Sequence, residues 1–275
     1  MSIQAAEPRV SCQNNSPELK AAELRVSCQD NSVELEAAKP RVSSQSNSPG
    51  HNIILSAQDI KRGFPTAGDM FWALKGINLT VAENKLTILK GRSGSGKTTL
   101  MNILGALDYP TSGDVIFDGK SLVNMNERAR DEVRKKEMGF VFQSVALVSM
   151  MTAYENVEFI LRINGYPAKE RRKRAENCLE LVGLGSRMTH LPPELSGGEQ
   201  QRVAIARAIA HKPKVIFADE PTAELDTNTG LQVVKIFKDL VEHEGATIVM
   251  TTHDPGLMDI ADKVYELADG EIING

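Results

Sequence analysis

The chain has 275 residues and a formal net charge of −4, and 25% of its residues are charged and 41% hydrophobic. These values are typical of a globular protein with an ordinary core, and the negative charge disfavours a protein that binds the phosphates of nucleic acids. The three cysteines form no CxxC pair, which disfavours a disulfide framework. Neither a membrane-spanning apolar run nor a signal peptide is recognisable, so we expect a cytosolic chain.

Residues 1–52 contain three similar units of 16 residues, which begin at residues 5, 21 and 37. Each unit is rich in Ser, Asn, Gln, Pro and Glu and has few apolar residues. Burial of so few apolar groups would not offset the entropy of ordering the chain, so we predict that residues 1–52 are disordered. A dispensable tail is the favoured interpretation, and a tether or docking segment is the alternative.

Residues 53–275 are predicted to form one domain in which strands alternate with helices. Strands are predicted at 52–60, 71–81, 85–91, 114–119, 138–143, 214–220, 246–254 and 263–272, the last as a hairpin. Helices are predicted at 98–107, 153–185 (interrupted at 164–167), 200–211, 230–245 and 254–261. Residues 64–69 read as a loop. This order is typical of an α/β protein with a mostly parallel sheet covered by helices on both faces.

A glycine-rich stretch joins the strand at 85–91 to the next helix. It reads Gly91-Arg92-Ser93-Gly94-Ser95-Gly96-Lys97-Thr98 and fits the pattern GxxxxGK[ST]. Glycines let successive backbone N–H groups converge on phosphate oxygens, and the helix N-terminus adds a positive dipole end. We expect Lys97 to reach the β- and γ-phosphates and the Thr98 hydroxyl to bind Mg²⁺. Thr99 is included among the predicted nucleotide-binding residues.

The apolar strand at 214–220 ends in two carboxylates, Asp219 and Glu220. Ligands of parallel sheets bind beyond the carboxyl ends of the strands, where the phosphate loop also begins. Asp219 is therefore predicted to bind Mg²⁺ as a hard oxygen ligand. Glu220 is predicted to polarise the water that attacks the nucleotide, which makes the chain a hydrolase.

A second glycine pair occurs at Leu195-Ser196-Gly197-Gly198-Glu199-Gln200-Gln201-Arg202. Ser196 and Glu199 have the spacing of a helix capping box. Two glycines in a first helical turn each cost about 1 kcal/mol relative to alanine, which indicates that a ligand approaches the backbone there. This stretch resembles the signature motif of the ATP-binding cassette (ABC) family, and the resemblance extends over residues 53–275.

The resemblance implies a P-loop NTPase of ABC type with an antiparallel β subdomain and a small helical subdomain at about 144–200. It also implies a head-to-tail homodimer in which the signature of one chain contacts the ATP of the other. The residues that would act in trans are Ser196, Gly197, Gly198 and Gln200.

Four further residues match family positions. Gln143 matches the glutamine that contacts Mg²⁺ and the attacking water, and His253 matches the histidine that holds the γ-phosphate. Asp226 matches the loop that crosses the dimer interface, and Phe64 aligns with the aromatic residue that stacks on adenine. We therefore list Glu220, His253 and Gln143 as catalytic.

Several stretches, including ADEPTAELD at 218–226, resemble the branch of the family that releases lipoproteins and exports macrolides. The resemblance implies an integral membrane permease as partner, no nucleic acid, and a position on the cytoplasmic face of the membrane. Substrates would be peptides, lipoproteins or drug-like molecules. The alternative is an ABC ATPase outside transport, in cell division or signalling, or less readily on DNA or ribosomes. Gln143 and Ser196 are only 53 positions apart, which leaves no room for the long coiled coil of DNA-associated members.

Overall fold

The computed structural model describes residues 52–252 and 255–275. The 16-residue units at 1–52 therefore lie almost wholly outside the described residues, and their predicted disorder stays a prediction. Within the described ranges, no helix is long and apolar enough to cross a membrane.

The described residues form two sheets and a set of helices. The strands are β1 (Ile53–Pro65), β2 (Met70–Ala82), β3 (Leu86–Gly91), β4 (Ser112–Phe117), β5 (Lys120–Ser121), β6 (Met138–Val141), β7 (Val215–Asp219), β8 (Ile248–Thr252), β9 (Lys263–Ala268) and β10 (Glu271–Asn274). The helices are α1 (Lys97–Leu104), α2 (Glu127–Glu137), α3 (Ala153–Ile163), α4 (Ala168–Leu181), α5 (Gly197–Ile209) and α6 (Thr227–Glu244). Short 3-10 turns cover Gly185–Arg187, Pro192–Glu194 and Pro255–Ile260.

The larger sheet has the strand order β10-β9-β3-β8-β7-β6. All its neighbouring strands are parallel except β10, which is antiparallel to β9. Alternate residues of β3 point to opposite faces, so Ile88 packs in a core that includes α3 to α6. Leu89 packs in a second core with α1 and the smaller sheet. The predicted α/β fold, with both faces of the parallel sheet covered, is confirmed.

The smaller sheet is antiparallel, in the order β2-β1-β4-β5. The pairing of β1 with β2 continues to Phe64 opposite Phe71 and Pro65 opposite Met70. The prediction of a loop over residues 64–69 was therefore wrong at its start, because the hairpin turn closes tightly, with the Thr66 N–H donating to the Asp69 carbonyl at 2.9 Å.

The helices α3 and α4 and the first turn of α5 lie within residues 144–200, the range predicted as a helical subdomain. The break predicted at 164–167 separates α3 from α4. Among the predicted boundaries that were wrong, two concern predicted site residues. Strand β6 ends at Val141, so Gln143 lies beyond it, and α6 begins at Thr227 because Asp226 caps the helix.

Candidate active site

The phosphate loop connects β3 to α1. Gly96 is the N-cap of α1 with a φ of 101°, and a Cβ placed on it would lie 2.7 Å from the carbonyl oxygen of Ala73 in β2. Both the conformation and the close approach of β2 therefore require glycine at this position. Lys97 is 6% exposed. Its Nζ donates to the carbonyl oxygens of Gly91 at 2.9 Å and Arg92 at 3.2 Å.

The acidic pair lies beside this loop, as the parallel topology predicts. Asp219 is the last residue of β7. The hydroxyl of Thr98 donates to its carboxylate at 3.1 Å. The ammonium group of Lys97 lies 3.6 Å from a carboxylate oxygen of Glu220. The structure thus gathers four predicted site residues, two from each motif, at the carboxyl edge of the sheet.

Thr251, in β8, orients both carboxylate residues and was not predicted. Its side chain is fully buried, its hydroxyl donates to the Asp219 carboxylate, and the backbone N–H of Glu220 donates to the same hydroxyl at 2.9 Å. Glu220 has a φ of 43°, a left-handed conformation that is uncommon outside glycine. Such conformations persist where the surroundings hold them and are concentrated at functional sites. Thr251 supplies part of that constraint.

Three other residues were predicted to belong to this site. Gln143 follows β6 by two residues and has an exposed side chain. His253 directly follows β8 in the sequence but is outside the described residues. Phe64 is 37% exposed, and the guanidinium carbon of Arg62 lies 4.7 Å from the centroid of its ring. Phe64 pairs with Phe71, two residues before the Ala73 that contacts the phosphate loop.

The signature stretch forms the start of α5. Ser196 is the N-cap, its hydroxyl accepts the N–H of Glu199, and the Glu199 carboxylate accepts the N–H of Ser196 at 2.9 Å. This last hydrogen bond is the largest cause of the lowered pKa of Glu199, and Arg187 adds to the effect. Ser196 is exposed at the helix N-terminus, whereas the side-chain amide of Gln200 donates to backbone carbonyls of its own chain. The predicted capping box is present.

Asp226 has a local structural role. Its carboxylate accepts the backbone N–H groups of Asn228 and Thr229 at the start of α6. Hydrogen bonds from the Thr229 side chain and backbone hold the pKa of Asp226 below its usual range. The residue is exposed and ionised, and it fixes the start of α6 next to the loop at 220–225.

A groove of about 490 Å³ opens beside the segment that carries Gln143. It lies between α2, β6, α3 and α5, and its lining includes the partly exposed apolar side chains Leu107, Phe142, Val148 and Phe159. A groove that gathers several partly exposed apolar side chains is a candidate interaction surface. The sequence did not predict the groove, because its residues come from five separate segments.

Comparison with known proteins agrees with this geometry. Residues 74–223 match the family model described as ABC transporter. An uncharacterized ABC transporter ATP-binding protein of Methanocaldococcus jannaschii is 49% identical over 201 residues, which are 73% of this chain and 89% of that protein. The macrolide export ATP-binding/permease protein MacB of Bartonella henselae is 44% identical over 220 residues, which are 80% of this chain and 33% of that protein.

A solved structure shows the same likeness. The dimeric post-hydrolysis structure of the ATP-binding cassette MJ0796, bound to ADP and phosphate, superposes with a TM-score of 0.75 and 38% identity. The match covers 80% of this chain and 97% of that one. Together with the phosphate loop and its adjacent acidic pair, these matches show that the chain belongs to the ABC transporter family and is an ATP-binding cassette that hydrolyses ATP.

Proposed function

We propose that the chain works as a head-to-tail homodimer that couples ATP hydrolysis to a conformational change in an integral membrane permease. The observation that carries this proposal is the apolar groove beside Gln143. Phe142 and Val148, which flank Gln143 in the sequence, line the groove. A partner seated in the groove would contact the same segment of chain that carries the active-site glutamine.

We assign Glu220 as the base that accepts a proton from the attacking water. Its carboxylate is near Lys97, and its backbone is held by Thr251. General-base assistance contributes about 10²–10⁴ in rate. Lys97 would neutralise charge on the transferred phosphoryl group, which is where most catalysis of this reaction arises. His253 is assigned to the γ-phosphate and Phe64 to the adenine ring, as the family pattern implies.

The phosphate loop supports ATP binding by its unused donors. The hydroxyl of Ser95 is buried, and within residues 52–252 and 255–275 it has no hydrogen-bond partner. The free N–H groups at the N-terminus of α1 add further donors and a positive dipole end. Residues from Gly91 to Thr99 would hold the phosphates, with Lys97 as the charged group.

The residues at the end of β7 also fit a magnesium ion. The Thr98 hydroxyl and the Asp219 carboxylate lie 3.1 Å apart, and Gln143 follows β6 at the same edge. Hydroxyl, carboxylate and amide oxygens are the hard ligands that Mg²⁺ takes. When bound, Mg²⁺ would neutralise charge on the β- and γ-phosphates. We assign Thr98, Gln143 and Asp219 to this ion.

The dimer is supported by the exposed start of α5 and by the dimeric MJ0796 structure. The backbone N–H groups of Gly197 and Gly198, with the exposed hydroxyl of Ser196, would form a second anion site at a helix N-terminus. We assign this second site to the γ-phosphate of the partner's ATP. Asp226, next to the loop at 220–225, would lie at the interface between the two chains.

The permease is supported by relatives, such as MacB, whose names join an ATP-binding part to a permease part. We infer that the chain is bound to the cytoplasmic face of the membrane through such a subunit. Its substrates would then be peptides, lipoproteins or drug-like molecules, moved out of or extracted from the membrane.

The test uses Glu220→Gln in the full chain. This change keeps the shape of the side chain but removes its basicity, so we expect normal ATP binding and turnover lowered by at least about 10². ATP should convert the variant from monomer to a stable dimer in size-exclusion chromatography with light scattering. Glu180→Gln, on the exposed face of α4, is the control with the same charge change. Wild-type turnover, or a monomer at saturating ATP, would refute the assignment.

A further inference from the structure

The segment that carries Gln143, residues 142–152 between β6 and α3, is hydrogen-bonded to side chains of two helices. Arg207, in α5, donates through Nη1 to the carbonyl oxygen of Ala146 at 2.6 Å and through Nη2 to that of Val145 at 3.2 Å. Asn156, in α3, is 2% exposed, and its Oδ1 accepts the N–H of Val148 at 2.8 Å. The segment has no helix or strand of its own, so these side chains fix its path.

The backbone conformation of Ala146 indicates that these hydrogen bonds are needed to keep the segment in place. Ala146 has a φ of 48°, a left-handed conformation that is unfavourable for a residue with a side chain. The shorter of the two Arg207 hydrogen bonds goes to the carbonyl of this same residue. Gln143 therefore lies between two fixed points, the end of β6 at Val141 and the anchor of Arg207 at 145–146.

Arg207 and the signature belong to one helix. Ser196 caps the N-terminus of α5, and Arg207 lies 11 positions further on in the same element. At 1.5 Å per residue, the two are about 16 Å apart along the helix axis. A displacement of α5 at its N-terminus would therefore be carried to the backbone at 145–146.

We propose that Arg207 is a positioning residue for hydrolysis, which sets the place of Gln143 according to the position of α5. It acts through the carbonyls of Val145 and Ala146. The proposal rests on the role assigned to Gln143 above. It adds a link between the signature of a chain and the catalytic glutamine of the same chain.

The test compares Arg207→Gln and Arg207→Lys with Arg174→Gln in the full chain. Arg174, in α4, is a matched control, because it donates to the carbonyls of Ala210 at 3.0 Å and Ile209 at 3.1 Å, at the C-terminal end of α5. We expect Arg207→Gln to lower kcat at least tenfold with ATP affinity changed less than threefold. Arg207→Lys, which keeps the charge and one hydrogen bond, should recover part of the rate. Arg174→Gln should keep kcat within twofold.

A double-mutant cycle with Gln143→Ala separates positioning from general loss of structure. If Arg207 acts through Gln143, the double variant is no slower than Gln143→Ala alone. Multiplied effects of the two changes, or an equal loss of kcat in Arg174→Gln, would overturn the proposal. If Arg207→Gln does not fold, the same cycle is run with Arg207→Lys.

Glu220→Gln, measured in parallel, distinguishes a failure of the role proposed for Arg207 from a failure of the assigned catalytic site. If Glu220→Gln stops turnover while Arg207→Gln has the wild-type rate, only the role of Arg207 fails. If Glu220→Gln turns over normally, the assigned catalytic site itself is wrong, whatever the Arg207 variants do.

Discussion

Single buried side chains give the active site its geometry. Thr251 bonds both to the carboxylate of Asp219 and to the backbone of Glu220, so one hydroxyl aligns two residues that the sequence places side by side. An aligned carboxylate pair loses little entropy when substrate arrives, which favours catalysis by positioning. The same is true of Lys97, whose ammonium group is held by two carbonyls of its own loop.

His211 makes stability depend on pH. It is 7% exposed, and its Nε2 donates to the carbonyl of Met138 at 3.0 Å. Burial lowers the pKa of His211 below its ordinary 6.5, and the charge of Arg174 adds to this. The unfolded chain then binds a proton more readily than the folded one. The free energy of unfolding therefore has its full value above pH 6.5 and decreases as the pH falls below 6.5. Urea titrations between pH 7.5 and 5.5 should show this decline.

The variant His211→Gln should remove that part of the pH dependence. His243→Gln, at an exposed position of α6, is the control and should keep the wild-type slope. If both variants and the wild type lose stability in parallel as the pH falls, His211 is not the group responsible.

Among single residues, sequence motifs located the polar groups at the centre of the site. Lys97, Thr98, Asp219 and Glu220 were predicted, because the phosphate loop and the strand end each have a fixed pattern. Thr251 and Arg207 were not, since a threonine in a strand or an arginine in a helix has no pattern of its own. Their importance comes from neighbours 31 to 62 residues away, which only the fold reveals.

Among the elements, α5 shows that two adjacent glycines can serve different purposes. A Cβ at Gly198 would lie 2.0 Å from the Thr229 Cγ2 of α6, whereas a Cβ at Gly197 would meet nothing within 4 Å. Both glycines were predicted to let a ligand approach the backbone. For Gly198, the packing of α5 against α6 is a sufficient reason, and only Gly197 faces open space.

We therefore expect Gly197→Ala and Gly198→Ala to differ in kind. Gly198→Ala should lower the free energy of unfolding by about 1–3 kcal/mol through overpacking. Gly197→Ala should raise it by up to about 1 kcal/mol through helix propensity. It should nevertheless lower turnover about tenfold or more, because the added methyl group would displace the partner's nucleotide. Chemical denaturation and ATPase rates measure both effects.

The control is Gly198→Ala combined with Thr229→Ser, which removes the clashing methyl group and keeps the hydroxyl. Stability should return in this double variant. If Gly197→Ala turns over at the wild-type rate, no partner group approaches the backbone there.

Helix α2 was not predicted from the sequence, and the reason is physical. Its sequence, ERARDEVRKKE, has almost no apolar stripe, which is the main signal of a helix. The helix is instead docked by its arginines, since Arg130 is 2% exposed and donates to the carbonyls of Ala106 at 2.6 Å and Asp108 at 2.8 Å. The other major helices were predicted because each buries an apolar face.

Over the whole molecule, the parallel order of β3, β8, β7 and β6 brings the phosphate loop, the acidic pair and Gln143 to one edge of the sheet. The groove opens on the segment that extends this edge into α3. Under the proposed function, catalysis and contact with the permease would share this stretch of chain. The sequence predicted the edge from the alternation of strands and helices, but a groove between distant segments requires three-dimensional packing.

The groove can be tested with Phe159→Asp. Phe159 is 37% exposed in α3, so the change should leave the chain folded, which thermal unfolding checks. A charge in an apolar contact should release the chain from membranes of cells that make it, as measured by sedimentation of membrane vesicles. Ile273→Asp is the control, since Ile273 is 61% exposed in β10, outside the groove lining. Equal sedimentation of the two variants would show that the groove is not the contact.

In the proposed dimer, helix α5 would connect the two nucleotide sites. One end would serve the nucleotide of the partner, while its Arg207 holds the glutamine segment of its own chain. In the proposed two-fold dimer, each α5 would then link the nucleotide site of the partner to the glutamine of its own chain. Nucleotide binding at either site would thus affect hydrolysis at the other. Turnover in such a pair depends on both sites being filled, so the response to ATP concentration is steeper than that of two independent enzymes.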